Sequence, residues 1–240
     1  MNPSSSLPSR PAHLRLLGQF RLEFDREPVE VCGNAQRLLA FVGLRRRAGR
    51  SVVAGSLWPD ATEAQARGSL RTALWKLARY DSALIQCTPG TIALADDVSV
   101  DAHALSDSAR DVLYGRGPLD DDQSLLGLLN RGDLLPDWDD DWVVLEREWL
   151  RQLRLNALDT LSERLAGQGL PALALEAALA SIRIEPLRES AHRAVVSAHL
   201  AEGNLNEALR HYDAFRHLLR AELGVEPSVR FARMIPQPQQ

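Results

Sequence analysis

The chain has 240 residues, 45% of them hydrophobic and 25% charged, with a formal charge of -4 at pH 7. That is ordinary globular composition and room for two modest domains or one generous one. No apolar run approaches the roughly 20 residues of a membrane-spanning helix, and the opening MNPSSSLPSRPA lacks the apolar segment of a secretion signal. Residues 1–12 read as a disordered leader. Two cysteines, Cys32 and Cys87, make neither a disulfide framework nor a metal cluster, so a cytoplasmic protein with reduced thiols is expected. The charge is uneven: residues 1–110 carry 14 Lys and Arg against 11 Asp and Glu, residues 111–240 carry 14 against 21. A basic front and an acidic back suit a DNA-binding module followed by a protein-contacting one.

In LRLLGQFRLEF, residues Leu14, Leu16, Phe20, Leu22 and Phe24 share one parity and Arg15, Gln19, Arg21 and Glu23 the other. Period two predicts one or two strands with one buried face. DREP is a turn signal, and VEV continues the sheet. After Asn34, a candidate N-cap, Leu38, Leu39 and Val42 recur at helical spacing. The helix gives way to a basic loop, RRRAGR. Ser51 is the candidate cap of a short second helix that Pro59 must stop.

TEAQ then reads as a capping box, with Thr62 and Gln65 opening a third helix. At about 100° per residue, Ala66, Leu70, Ala73, Leu74 and Leu77 form one apolar arc. Gly68, Thr72, Trp75 and Arg79 lie opposite, flanked by Arg71 and Lys76. With the leucines inside, Trp75 faces outward among cations, a face with charge for phosphates, donors for base edges and an apolar plate for thymine methyls or sugars. The alternative is a helix packed all round, with Trp75 under a neighbouring loop and the arginines merely solvated. LIQCT and TIALA follow as a β-hairpin, with Pro89 suited to the second turn position and Gly90 to the third at positive φ. Small sheet, three helices and a terminal hairpin is the order of a winged helix-turn-helix.

LWPDATEAQARGSLRTALWKL resembles the second-to-third-helix segment of the SARP/BTAD regulators, on Leu57, Trp58, Pro59, Asp60, Leu70, Arg71, Ala73, Leu74 and Leu77. The resemblance implies DNA contacts by Arg71, Thr72, Trp75, Lys76 and Arg79, with Arg67 on the same helix. Arg45, Arg46, Arg47 and Arg50 would neutralise phosphates, and the wing around Pro89 and Gly90 would complete the grip. That wing departs from a strongly basic one, since no Lys or Arg lies between Arg79 and Asp101.

The back of the chain is helical and acidic. DDDQSLLGLLN predicts a short helix. RGDLLPDWDDDW, with Asp133, Asp137, Asp139, Asp140 and Asp141, fails the spacing of an EF-hand calcium loop. It reads instead as a tight loop that buries Trp138 and Trp142 while one aspartate caps the next helix. A long helix over about 142–165 and three more follow. Shifting by 34 residues maps Gly169 onto Gly203, Ala174 onto Ala208 and Leu175 onto Leu209, which is the tetratricopeptide period. LLPDWDDDWVVLEREWLRQLRLNALDTLSERL, IEPLRESAHRAVVSAHLAEGN and EALRHYDAFRHLLRAELGVEPS resemble the bacterial transcriptional activator domain of the same family.

The fold class expected is therefore an α+β winged helix-turn-helix over residues 13–105, followed by an all-α tetratricopeptide-like domain over residues 106–235. No P-loop, G-x-G-x-x-G, H-E-x-x-H or G-x-S-x-G occurs, so no enzyme and no cofactor are expected. His192 and His199 share a helix face, but no Cys or carboxylate motif joins them as a metal site. The chain is expected to lack the ATPase region of the family's larger members and a receiver domain. The function implied is that of a sequence-specific activator that binds promoter direct repeats on double-stranded DNA as a homodimer or side-by-side oligomer, recruits RNA polymerase, and works away from membranes. The rival reading is a protein–protein adaptor whose winged domain no longer binds DNA.

Overall fold

The computed structural model describes residues 11–81, 84–115 and 122–235. Residues 1–10 of the expected leader lie outside the described residues, and Ala12, given to that leader, already begins a strand. The chain forms two compact units. Among the described residues, the first holds those up to Leu105 together with Gly132–Arg147, and the second those of Ser106–Arg131 together with those from Glu148 onward.

In the first unit, β1 (Ala12–Arg15), β2 (Arg21–Phe24), β3 (Glu27–Val29) and a late strand, Val98–Val100, make a sheet ordered β3, β2, β1 and the late strand. Leu14 and Leu22 stand opposite each other and are buried, as the period of two requires. Glu23 departs from the pattern: it has polar parity yet is buried. Arg15 Nε donates to its carboxylate at 3.1 Å and Arg21 lies at 3.8 Å, so its charge is compensated. Asp25 and Arg26 join β2 to β3 with φ of 52° and 71°, the mirror-image turn that fits strand twist. Pro28 falls on the edge strand, where a missing N–H is tolerated.

The first helix, α1 (Gly33–Arg45), buries Leu38, Leu39 and Val42 as expected, but its N-cap is Cys32 without a side-chain cap; Asn34 sits inside the first turn. The basic loop expected after it is a strand. Arg46, at φ 60°, turns the corner into β4 (Arg47–Gly49), which pairs with a strand more than forty residues later, a partner no local signal announces. α2 (Arg50–Leu57) is capped by Gly49 rather than Ser51, and non-helical Trp58, the residue before Pro59, is its C-cap. α3 (Glu63–Ala78) opens with the capping box: Gln65 N donates to Thr62 Oγ1 at 3.4 Å and Thr62 N to Gln65 Oε1 at 3.0 Å.

β5 (Ile85–Cys87) and β6 (Thr91–Leu94) form the expected hairpin, and β4 joins it as a third strand in the order β4, β6, β5. Gly90 does not take positive φ. The hydroxyl of Thr88, which accepts from Thr91 N at 3.0 Å, and a Thr88 N–H to Thr91 carbonyl bond of 2.9 Å close the turn without it. The late strand is β7, parallel to β1. α4 (Asp101–Tyr114) follows, and the Asp101 carboxylate accepts from Leu16 N at 2.8 Å and Leu17 N at 3.2 Å.

The aspartate-rich segment is a packed strap within this unit. Leu135 N donates to Leu16 O at 2.9 Å, and Gly18 N to Asp133 O at 2.7 Å. A Cβ on Gly132 would stand 3.1 Å from the Gly18 backbone. Trp142 is buried edge-on to Phe41 at 5.1 Å, and half-buried Trp138 stacks on Phe20 at 6.1 Å. Arg147 donates to the carbonyls of Leu134 at 2.7 Å and Trp138 at 2.8 Å. Asp140, just before the next helix, turns its carboxylate to Arg37.

The second unit continues α4 from Ser106 and adds α5 (Asp122–Leu129), α6 (Asp141–Gly167, in this unit from Glu148), α7 (Pro171–Ile184), α8 (Glu189–Ala201), α9 (Leu205–Leu223) and α10 (Val229–Ala232). Buried Arg154 donates to Leu129 O at 3.1 Å and Arg131 O at 2.6 Å, placing a cation on the carbonyl end of α5. Gly169 and Gly203, 34 apart, have φ of 76° and 77° at equivalent corners, and Ala174 and Ala208 are both buried. The small residues let α7 pack on α8 and α8 on α9. The fold is a winged helix-turn-helix followed by tetratricopeptide-like helices. Among the described residues, no helix is long and apolar enough to cross a membrane.

Candidate nucleic-acid interface

The third helix settles which of its faces is inside. Ala66, Leu70, Ala73 and Leu77 are buried and Leu74 is half-buried, while Trp75, on the opposite face, is 60% exposed. At roughly 25 cal/mol per Å² the apolar arc fixes the rotation of the helix, and that rotation leaves Trp75, Arg71, Thr72 and Arg79 outward, with Lys76 half-buried at the flank.

The outward side chains are partly committed to each other. Arg79 lies over the Trp75 ring, 5.2 Å from its centroid. The Thr72 hydroxyl donates to Gly68 O at 3.1 Å, so its proton is used within the helix. Arg67 makes an exposed pair with Glu63 at 2.5 Å, one turn back. An exposed pair of this kind is worth a few tenths of a kcal/mol, about what an i,i+4 helix pair contributes, and yields readily to a phosphate.

The four arginines before and at the start of α2 part company. Arg50 lines an open cleft of about 380 Å³ between α3 and β5, together with Arg71, Leu74, Trp75, Leu77, Ala78, Asp81, Ile85 and Cys87. Its Nε donates to Thr88 O at 3.0 Å, which ties the guanidinium to the hairpin turn. Arg46 and Arg47 line a smaller cavity on the wing sheet with Gln86, Asp96 and His103. Arg45 lies over the Phe41 ring at 4.6 Å and 3.8 Å from Glu146, in the wall of a larger groove with Arg37, Trp58 and Asp139. The structure thus gathers Arg50, Arg71 and Trp75 in one place, with Arg79 stacked on the indole, and leaves Arg45, Arg46 and Arg47 elsewhere on the unit.

Sequence reasoning left two features out. Exposed Cys87 stands in the cleft, a place set by how the hairpin lies against α3 and announced by no local signal. In the second unit, His192 and His211, nineteen residues apart on different helices, meet at 3.0 Å, and His192 stacks on Phe215 at 4.0 Å. Burial, then the neighbouring rings of His192 and His199, push His211 down to about 4. Burial also lowers His192, against the Pro186 carbonyl and Glu189, which favour its cation. Among the described residues, no group of three or more His, Cys or acidic side chains could hold a metal ion.

Residues 127–237 match the model of the bacterial transcriptional activator domain family. The regulatory protein AfsR of Streptomyces coelicolor is 28% identical over 229 residues, a stretch that covers 88% of this chain and 22% of that protein. The chain thus spans about a fifth of the length of that curated relative. The structure of Mycobacterium tuberculosis EmbR in complex with a low-affinity phosphopeptide is similar with a TM-score of 0.72 at 18% identity, over 94% of this chain and 64% of that one.

Proposed function

We propose that the chain, whose residues 127–237 match the bacterial transcriptional activator domain family and which is similar to AfsR over 88% of its length, is a sequence-specific DNA-binding regulator that activates transcription. In this reading α3 enters the major groove. Arg71, Thr72, Lys76 and Arg79 meet base edges or phosphates, and Arg50 meets the backbone at the wing. Arg45, Arg46, Arg47 and Arg67 add charge at the margins. The helical unit carries the contacts to RNA polymerase and to a second subunit. The protein works in the cytoplasm on double-stranded promoter DNA, without cofactor or chemistry of its own.

The observation that carries this reading is the exposure of Trp75 at 60%, directly opposite the buried leucines and beside three cationic side chains. That combination matches a duplex, which offers anionic phosphates and apolar sugar faces together. The absence of Lys and Arg from residues 80–100 favours the rival adaptor reading. Against it, β4 carries Arg47 into the wing sheet, and Arg50 is bonded to the hairpin turn. With so few cations, one subunit holds DNA modestly, and two on direct repeats gain through effective concentration.

Footprinting the purified full chain on the DNA upstream of its own gene tests this. The expected result is protection of two or more direct repeats. Lack of protection at any promoter, with a partner protein bound through residues 140–225, would replace the reading by the adaptor.

A further inference from the structure

The cleft between α3 and β5 has a composition that narrows what can fill it. Its lining includes two arginines, Arg50 from the start of α2 and Arg71 from α3, together with Trp75. Arg50 is held by its bond to Thr88 O, and the indole by Arg79 stacked on it, so both are set before anything binds. Asp81 stands at the corner where the helix leads into the wing and sets one acid against these cations. A free inorganic anion would use the guanidiniums and leave the indole in water. A neutral aromatic molecule would use the indole and bring no anion to the guanidiniums. A sugar-phosphate strand alternates an anion with an apolar ring face, and so uses both.

We propose that this cleft seats one sugar-phosphate strand of the duplex, with a deoxyribose packed on the Trp75 indole and the adjacent phosphates on Arg50 and Arg71. The inference rests on the DNA-binding reading and refines it. Trp75 supplies affinity indifferent to base sequence, and base reading falls to the outward donors of α3. Strand contact by an apolar plate releases no counterion, whereas each guanidinium on a phosphate does. Removing Trp75 therefore weakens binding without changing its salt dependence.

The test uses the full chain and duplexes selected from a random pool by the wild-type protein. Trp75→Ala, an exposed position whose loss leaves no cavity, is expected to bind about tenfold more weakly, the effect of returning roughly 60 Å² of apolar surface to water. The loss should be equal on a selected and an unrelated duplex, with an unchanged log–log salt slope, and Trp75→Phe should recover part of it. Arg71→Ala should reduce the slope by about 0.9. Replacing each thymine of the selected site by uracil removes the methyl groups an indole could read instead. Cys87 reports occupancy directly: DNA should slow its alkylation by iodoacetamide, while Cys32, exposed but outside the cleft, serves as control.

A loss confined to the selected duplex, or a thymine-to-uracil effect present in wild type and absent in Trp75→Ala, would overturn the proposal in favour of base reading by Trp75. Unchanged affinity of Trp75→Ala, or unprotected Cys87 in a formed complex, would also overturn it while DNA binding itself stood. Failure of the wild-type chain to select or retain any duplex would remove the underlying reading as well.

Discussion

Replacing His211 by Gln is expected to flatten the acid limb of the stability of the helical unit. His192 Nε2–H donates to Pro186 O at 2.9 Å, which leaves its Nδ1 as the acceptor for His211 Nε2–H at 3.0 Å. Both rings are neutral in this arrangement, and a proton added at His192 Nδ1 would set donor against donor. Burial and the neighbouring His192 and His199 lower His211 from 6.5 to about 4. Between those two values the unfolded chain binds more protons than the folded one. The stabilisation is therefore fully present above pH 6.5 and is lost as the pH falls towards about 4. At about 1.4 kcal/mol per pH unit the ceiling is roughly 3 kcal/mol, and partial exposure of the ring to solvent brings this to about 2 kcal/mol. Gln keeps a donor for His192 Nδ1 and removes the titration. Urea unfolding of both proteins at about pH 7.5 and pH 4.5 should show the wild type losing about 2 kcal/mol more than His211→Gln. Equal losses would refute the reasoning, since carboxylate protonation affects both proteins alike.

Other expectations follow from local geometry. Thr62→Ala removes the capping box of α3 and should cost about 1 kcal/mol in urea unfolding; a null effect would mean the helix start is held by tertiary packing alone. Leu70→Ala, in the buried arc, should cost about 2–5 kcal/mol, and DNA affinity should fall only to the extent that the winged unit unfolds. Gly203→Ala forces a Cβ onto a backbone with φ of 77° and should cost roughly 1 kcal/mol. Gly127→Ala, in α5 with open space at its Cβ, should gain up to about 1 kcal/mol. Thermal melts of the pair should move in opposite directions.

The elements legible in the sequence were those whose signal is local. The strand alternation around Leu14 and Leu22, the Thr62 capping box and the apolar arc of α3 all stand where periodicity put them, and the glycine corners 34 residues apart match in φ. What escaped needed partners distant in the chain. The middle of RRRAGR, Arg47–Gly49, is strand rather than loop because β6 pairs with it, and Glu23 is buried because Arg15 and Arg21 converge on it. N-caps at Asn34 and Ser51 failed because each helix starts earlier, at Gly33 and Arg50. The family motif spoke for the outward residues of α3, but the cleft that joins Trp75 to Arg50 and Cys87 depends on the fold of the wing against the helix.

The salt dependence of DNA binding tests the central claim most directly. Titration of the wild-type chain on a selected duplex should give a falling log–log line whose slope is about -0.9 for each phosphate neutralised, made shallower by about that amount in Arg71→Ala. A binding constant indifferent to salt, with wild type and variant superimposed, would contradict the account.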